Sequence, residues 1–284
     1  MRPGGRAALA VRIVTDSTAD LPLTTARELR VTVVPMLVRF GDEVFRDGVD
    51  LSSEEFFERL THSPELPKTS QPPVGAFQEV YERLAWEADG IVSVHVSGKL
   101  SGTVGAASMA AQLVRERCRV EVVDSLSVSM GLGLAVMAAA RAAQEGSTVE
   151  AAAEAARAVA RRHTFVAMLE TVEYLRKGGR VGRAAAFLAS VLHVRPLLTL
   201  VDGEVHPLAR ERTRAKALDR MFEHCLSRDG ISEVAIMHTT TPEDALSLAE
   251  RAHQRLPEAR VHLTRVGPAL GVYGGPGTMG MVVA

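Results

Sequence analysis

The chain has two cysteines in 284 residues, Cys118 and Cys225, far apart and outside any CxxC pair. That excludes a disulfide framework and a cysteine-rich metal site, and it favours a reducing compartment, the cytoplasm. Aromatic residues make up only 4%, with a single tryptophan. Neither sign of charge is in excess: 33 Lys and Arg face 34 Asp and Glu, for a net charge of −1. Such a balance gives no electrostatic footprint for nucleic acid or for an anionic membrane surface. No uninterrupted apolar run approaches the roughly 20 residues that cross a bilayer. The opening stretch MRPGGRAALAVRIVTDS contains a short apolar run closed by Arg12; it is too short for a signal peptide and reads as an extension before the first strand. Catalytic fingerprints are missing as well. There is no GxGxxG after the first strand, no GxxxxGK[ST], no HExxH and no GxSxG. The nine histidines are scattered, and none pairs at metal-ligand spacing. No metal, no cofactor and no catalytic residue is expected.

What is present is an alternation of short apolar runs with helical periodicity. Strands are expected at 11–14, 31–40, 43–45, 90–96 and 119–123, and helices at 23–30, 52–60, 75–87, 101–117, 131–145 and 147–163. Ser52 with Glu55, and Ser147 with Glu150, have capping-box spacing. The stretch 62–73 reads as a proline-containing loop. After residue 163 the composition shifts. A strand at 165–169, helices from 172 and over 184–192, a hairpin over 195–210 turning at Asp202-Gly203, a helix over 213–226, and strands at 234–238, 261–266 and 279–283 follow. Thr241-Pro242-Glu243 starts one further helix. The glycine-rich tract 267–277 reads as a tight loop. The pattern is that of an α/β protein with two α/β domains, 10–163 carrying a mostly parallel sheet and 164–284 carrying a mixed sheet with helices.

Two hydroxyl clusters stand out, Thr69-Ser70 and Ser101-Gly102-Thr103. The second follows a buried strand and opens a helix, on the side of an α/β sheet where ligands bind. Hydroxyls and exposed N–H groups at a helix start suit an anion; equally, Thr69, Ser70 and Ser101 can serve as ordinary caps. Asp16, after the first strand, reads as an organiser of neighbouring loops, because an anionic ligand would repel it. His95 lies inside an apolar strand and reads as a hydrogen-bonded core histidine. The stretch Arg176-Lys177-Gly178-Gly179-Arg180, three cations around two glycines, suits a phosphate or carboxylate, or is a solvated helix end whose cations complement the dipole. Arg210, Arg212 and Arg214 form a second basic group with the same two readings.

Several short stretches occur together in a particular order: Ile13-Val14-Thr15-Asp16-Ser17-Thr18-Ala19-Asp20-Leu21-Pro22, Lys68-Thr69-Ser70-Gln71-Pro72, Lys99-Leu100-Ser101-Gly102-Thr103, Val123-Asp124-Ser125, Tyr174-Leu175-Arg176-Lys177-Gly178-Gly179-Arg180, Gly267-Pro268 and Gly275-Pro276-Gly277. In that order and spacing the chain resembles the DegV family of bacterial fatty-acid-binding proteins over nearly its whole length. The resemblance implies a long-chain fatty acid buried at the junction of the two domains. It implies a carboxylate held by the hydroxyls of Thr69 and Ser101, with Ser70, Ser97, Gly102 and Thr103 as further candidates. Where family members commonly carry a histidine near the carboxylate, this chain has Tyr273, which can donate a hydrogen bond but cannot carry a positive charge. The resemblance also implies a non-enzymatic carrier that presents its acid to a separate ATP-dependent fatty acid kinase, giving an acyl phosphate for phospholipid synthesis. Arg180 and Arg212 are then the phosphate-contacting or kinase-docking positions. A cytoplasmic monomer with transient membrane contact and no nucleic-acid partner completes the expectation. The alternative from a different class is an enzyme acting on a phosphorylated small molecule, with segment 176–183 as its phosphate clamp.

Overall fold

The computed structural model describes residues 11–189 and 194–284. The first part interleaves β1 (Val11–Asp16), α1 (Leu23–Glu28), β2 (Val31–Val34), β3 (Leu37–Phe40), β4 (Glu43–Arg46), α2 (Ser53–His62), β5 (Lys68–Ser70), α3 (Val74–Leu84), β6 (Gly90–His95), α4 (Thr103–Val114) and β7 (Arg119–Asp124). Two consecutive helices follow, α5 (Met130–Gln144) and α6 (Val149–Arg162). The rest of the chain supplies β8 (Thr164–Met168), α7 (Glu173–Gly178), α8 (Ala185–Ala189), the hairpin β9 (Arg195–Val201) and β10 (Glu204–Glu211), α9 (Arg214–Cys225), β11 (Glu233–His238), α10 (Pro242–Arg255), β12 (Arg260–Arg265), α11 (Pro268–Gly274) and β13 (Met279–Val283). The strands form a four-stranded parallel sheet ordered β2-β1-β6-β7, a six-stranded mixed sheet ordered β10-β9-β8-β13-β11-β12, and a three-stranded antiparallel sheet ordered β4-β3-β5. The fold is the α/β arrangement expected, a parallel sheet and a mixed sheet with helices.

The hydrophobic pattern explains the layers. Helix α5 buries Met130, Leu132, Leu134, Val136 and Met137 together with Ala135, Ala139 and Ala140, and a helix apolar over most of its circumference belongs in an interior. It packs against β1 and β6 of the parallel sheet and against β11 and β13 of the mixed sheet. Helices α3 and α4 cover the other face of the parallel sheet, with Phe77, Tyr81, Ala106, Ala107 and Ala110 on Val14 and Ile91. Helices α9 and α10 cover the outer face of the mixed sheet through Met221, Phe222, Ala245 and Leu248.

Five local expectations are corrected. The single strand at 31–40 is two strands in different sheets: β2 pairs with β1, whereas β3 pairs with β4 and β5. Pro35 lacks the N–H that would continue the ladder and disfavours a helical bend before it, so the chain leaves one sheet extended and enters the next. The loop over 62–73 contains β5, which sets Thr69 opposite Val38. No side chain caps α3, so Thr69 and Ser70 are strand residues and not caps. The capping box at Ser147 does not form; Thr148 caps α6 one residue later by accepting the Ala151 N–H. The tract 267–277 holds α11, started by Pro268, whose fixed φ suits a first turn. The end of the helix expected over 184–192, and the extension before Val11, lie outside the described residues.

A buried polar chain joins β1 to β6. Asp16 accepts the Thr18 and Val96 N–H groups, each at 3.1 Å, a bond from the Thr18 hydroxyl, and one from His95 Nδ1 at 2.9 Å. His95 Nε2 then meets Ser93 Oγ at 2.7 Å, and the Tyr81 hydroxyl donates to Ser93 at 2.8 Å. Both sequence expectations, Asp16 as loop organiser and His95 as satisfied core histidine, hold. Asp16→Ala strands four donors in a dry interior. The expected cost is about 3–5 kcal/mol of unfolding free energy, read as a lower urea midpoint; a loss below about 1 kcal/mol would mean that water reaches these donors.

Candidate functional site

A cavity of about 1160 Å³, counting the part open to solvent, is lined both by loops at the carboxyl ends of the parallel strands and by the inner face of the mixed sheet. Crevices of this kind, outside the carboxyl ends of parallel strands, are where α/β folds bind ligands. Much of the lining is apolar, from Val96, Val128, Phe165, Leu198, Met237 and Val266. Several hydroxyls line it as well. Thr69 on β5 and Tyr273 on α11, far apart in sequence, place Oγ1 and the phenolic oxygen 2.5 Å from each other. Ser101 lies just before α4, its Oγ 2.7 Å from Thr103 Oγ1 and accepting the Thr103 N–H at 3.3 Å. Gly102 is the N-cap of α4 and no side chain caps that helix, so Ser101 is not its cap; it lines the cavity.

The structure thus brings together Thr69, Ser70, Ser101, Tyr273 and Arg180 in one lining. It does not bring in Ser97, Gly102 or Thr103. The buried Ser97 hydroxyl donates to the Gly203 carbonyl at 2.8 Å, tying the β6 loop to the β9-β10 turn. Gly102 is the residue before α4, and Thr103 is buried with its hydroxyl toward Met36 Sδ at 3.7 Å. Arg212 is exposed and outside the lining. In the basic segment, Arg180 is the member at the cavity. Lys177 pairs with Glu173, and Arg183 pairs with Glu204 at 3.0 Å. The Arg180 guanidinium lies over the Tyr273 ring, 5.3 Å from its centroid, and donates to the Gly178 carbonyl at 2.9 Å. Gly178 is a packing requirement: a Cβ there would lie 2.5 Å from Tyr273 Cδ1.

Asp16, His95 and Ser93 are ordered like a hydrolase triad, but all three are fully buried and none lines the cavity. A nucleophile must reach its substrate, so the Asp16–His95–Ser93 series is structural. Among the described residues no cluster of His, Cys, Asp and Glu is arranged to hold a metal, and no helix is long and apolar enough to cross a membrane.

A family model described as "Uncharacterised protein, DegV family" matches residues 10–284. The chain belongs to the DegV family. A DegV domain-containing protein of Streptomyces coelicolor, SCO2569, is 39% identical over 278 residues, covering 96% of this chain and 98% of that one. A solved DegV family protein of Thermus thermophilus, described as binding fatty acid, is 32% identical with a TM-score of 0.89, covering 97% of this chain and 99% of that one. The DegV fatty acid binding protein of Bacillus subtilis, 28% identical, has the same TM-score and coverage.

Behind the wall of this DegV cavity lie two buried acids that sequence reasoning missed as site residues. Asp20 accepts the Gly267 N–H at 2.8 Å, and its other oxygen is 2.5 Å from the hydroxyl of Ser129, a lining residue. Asp47 accepts the Ser17 hydroxyl at 2.7 Å and the Ala269 N–H. Gly267 and Ala269 are the start of α11, so the two acids anchor the helix that carries Tyr273. Asp20 stood in a polar stretch that drew notice; nothing local marks Asp47. Desolvation pushes Asp20 up to about 8 and Asp47 up to about 6. Ser129, before α5, sits at φ 50°, ψ −139°, a conformation L residues rarely adopt, which costs of order 1–3 kcal/mol and is held by the Asp20 contact.

The sign of the pH effect follows. Between the unfolded carboxylate value and about 8, the folded DegV chain keeps a proton on Asp20 that the unfolded chain has lost. Stability from this group is therefore greatest at low pH and falls as pH rises through that window. Asn is a neutral isostere whose Oδ1 can still accept from Gly267 and whose amide NH2 can pair with the Ser129 hydroxyl oxygen. Thermal melts of wild type and Asp20→Asn should show the variant gaining on wild type steadily as pH rises from about 5 to about 9. Parallel melting curves across that range would mean that Asp20 ionises normally.

Proposed function

We propose that this chain binds one long-chain fatty acid in the cavity, with the carboxylate at Thr69, Ser101 and Tyr273 and the acyl chain along the apolar lining. One observation carries the reading: a mostly apolar cavity is lined by the paired hydroxyls of Thr69 and Tyr273 and by the hydroxyl of Ser101. The fatty-acid binding described for the Thermus thermophilus and Bacillus subtilis relatives supports it. Each buried CH2 contributes about 0.8 kcal/mol. An unpaired buried carboxylate costs several kcal/mol, and charge-assisted hydrogen bonds at about 1.5–3 kcal/mol each offset that. Holding Asp20 protonated near neutral pH removes one negative charge from behind the site. In this reading the cavity lies at the junction of two α/β units, 10–163 and 164–284.

The chain has no catalytic constellation of its own in this reading and needs no cofactor. It is a cytoplasmic monomer that touches membranes only transiently, to load or release its lipid. Its partner is an ATP-dependent fatty acid kinase. A carboxylate oxygen attacks the γ-phosphorus of ATP held by the kinase, the bond to ADP breaks, and the acyl phosphate stays with the carrier for phospholipid synthesis. Neutral donors leave the carboxylate nucleophilic, and Arg180 at the cavity is placed to meet the new phosphate. Exposed Arg212 belongs to the kinase-docking face. No observation favours the alternative of an enzyme clamping a phosphorylated small molecule, since Lys177 and Arg183 are already paired with acids.

Native mass spectrometry of gently purified protein should find a co-purified long-chain fatty acid. The double variant Thr69→Ala, Ser101→Ala should keep the fold and lose roughly 100-fold or more in affinity, the worth of two charge-assisted bonds. An empty wild-type protein, or undiminished binding in the double variant, would sink the assignment. Arg212→Glu should lower acyl phosphate formation by an added kinase about tenfold while sparing lipid binding; equal loss of both would place Arg212 at the lipid instead.

A further inference from the structure

Register across the mixed sheet sets Met237 of β11 beside Gly280 of β13, Gly280 beside Ala167 of β8, and Ala167 beside Leu198 of β9. Paired residues share a face of a sheet, and all four line the cavity. The inner two are the smallest side chains available, and the outer two are long. Leu198 and Met237 are three strand spacings apart, roughly 14 Å. The row is thus a trough with a low floor and raised ends. Two residues along the same strands, Val282 and Phe165 restore bulk and bound it on one side.

The two ends have different neighbours. Leu198 packs in the cluster of Leu169, Leu175 and Tyr273, on the hydroxyl side. Met237 packs with Val266 and Leu270, at the other end of α11. The trough therefore leads away from the hydroxyl cluster and ends at Met237. That side chain is folded down over the floor: a Cβ on Gly280 would lie 2.7 Å from Met237 Cε. Glycine at 280 is what gives the thioether room. Methionine is unbranched, with three rotatable bonds, so a wall made of it can move aside where a β-branched residue could not.

The geometry points to Met237, folded over Gly280, as the residue that ends the acyl channel and sets the length of chain it holds. This rests on the fatty-acid reading of the cavity. A chain laid across Gly280 and Ala167 runs into the Met237 methyl group, and rotation of the thioether lets the site accept more than one length.

Two variants push the wall in opposite directions. Met237→Ala removes it, and the fatty acids extracted from the purified full-length protein should shift longer by roughly two carbons. Gly280→Ala adds one methyl group beneath the thioether, drives its end into the channel, and should shift the extracted acids shorter. In competition between two saturated fatty acids differing by two methylenes, the preference should change by about tenfold, with opposite signs in the two variants. General loosening of the core cannot produce opposite signs. Unchanged profiles in both variants, or shifts of the same sign, overturn the role of Met237. A wild-type protein that yields no fatty acid overturns the carrier reading itself, so the two failures are told apart.

Discussion

Three carboxylates shut away from water organise the rim of this cavity. Asp16, Asp20 and Asp47 are all buried, and a buried acid must find donors or lose its charge. Each finds them on other segments. Asp16 reaches the end of β6, Asp20 reaches the start of α5 and of α11, and Asp47 reaches the 3-10 turn after β1 and the start of α11. Five stretches of chain, of which only β1 and β6 are neighbours in a ladder, are thereby held in one arrangement. Crowding of like charges is relieved by the proton that desolvation leaves on Asp20.

The hydroxyl cluster depends on that arrangement. Helix α11 is short, and its start is held by Asp20 and Asp47. Its far end brings Tyr273 against the Arg180 guanidinium and the bare backbone of Gly178, with the phenol on Thr69. Ser101 arrives from the parallel sheet, Thr69 from the small antiparallel sheet, and Tyr273 from the segment between two strands of the mixed sheet. Three sheets thus each contribute one hydroxyl through a neighbouring loop or strand.

Much of the fold was legible along the chain. Wherever an apolar run was bounded by turn residues, as at β6, β7 and the β9-β10 hairpin, periodicity and turn chemistry agreed with the tertiary outcome. The failures share a cause. Residues 31–40 look like one β-branched strand because propensity does not reveal that Pro35 hands the chain from one sheet to another. Lys68–Ser70 is too short to show a period, and only its pairing with β3 makes it a strand. Helix α11 is rich in glycine and weak in propensity, and it exists because buried acids hold its N-terminal amides. In the site, Thr69, Ser101 and Tyr273 were named from short stretches and do line one cavity, while Ser97 and Thr103, equally conspicuous in sequence, spend their hydroxyls inside the structure.

The amino-acid sequence by itself determined the α/β class, the alternation of elements, the lack of a metal or nucleotide fingerprint, and the family. Those properties are local: they rest on side-chain period, capping residues and short stretches that read the same wherever the chain goes. Tertiary structure alone decided which hydroxyls face a common space, which acids are desolvated, and which small side chains fall side by side across the mixed sheet. Gly280 and Ala167 are 113 positions apart in sequence and one strand spacing apart in space. No local pattern encodes that distance, because strand register is settled by what the two faces of the sheet must bury.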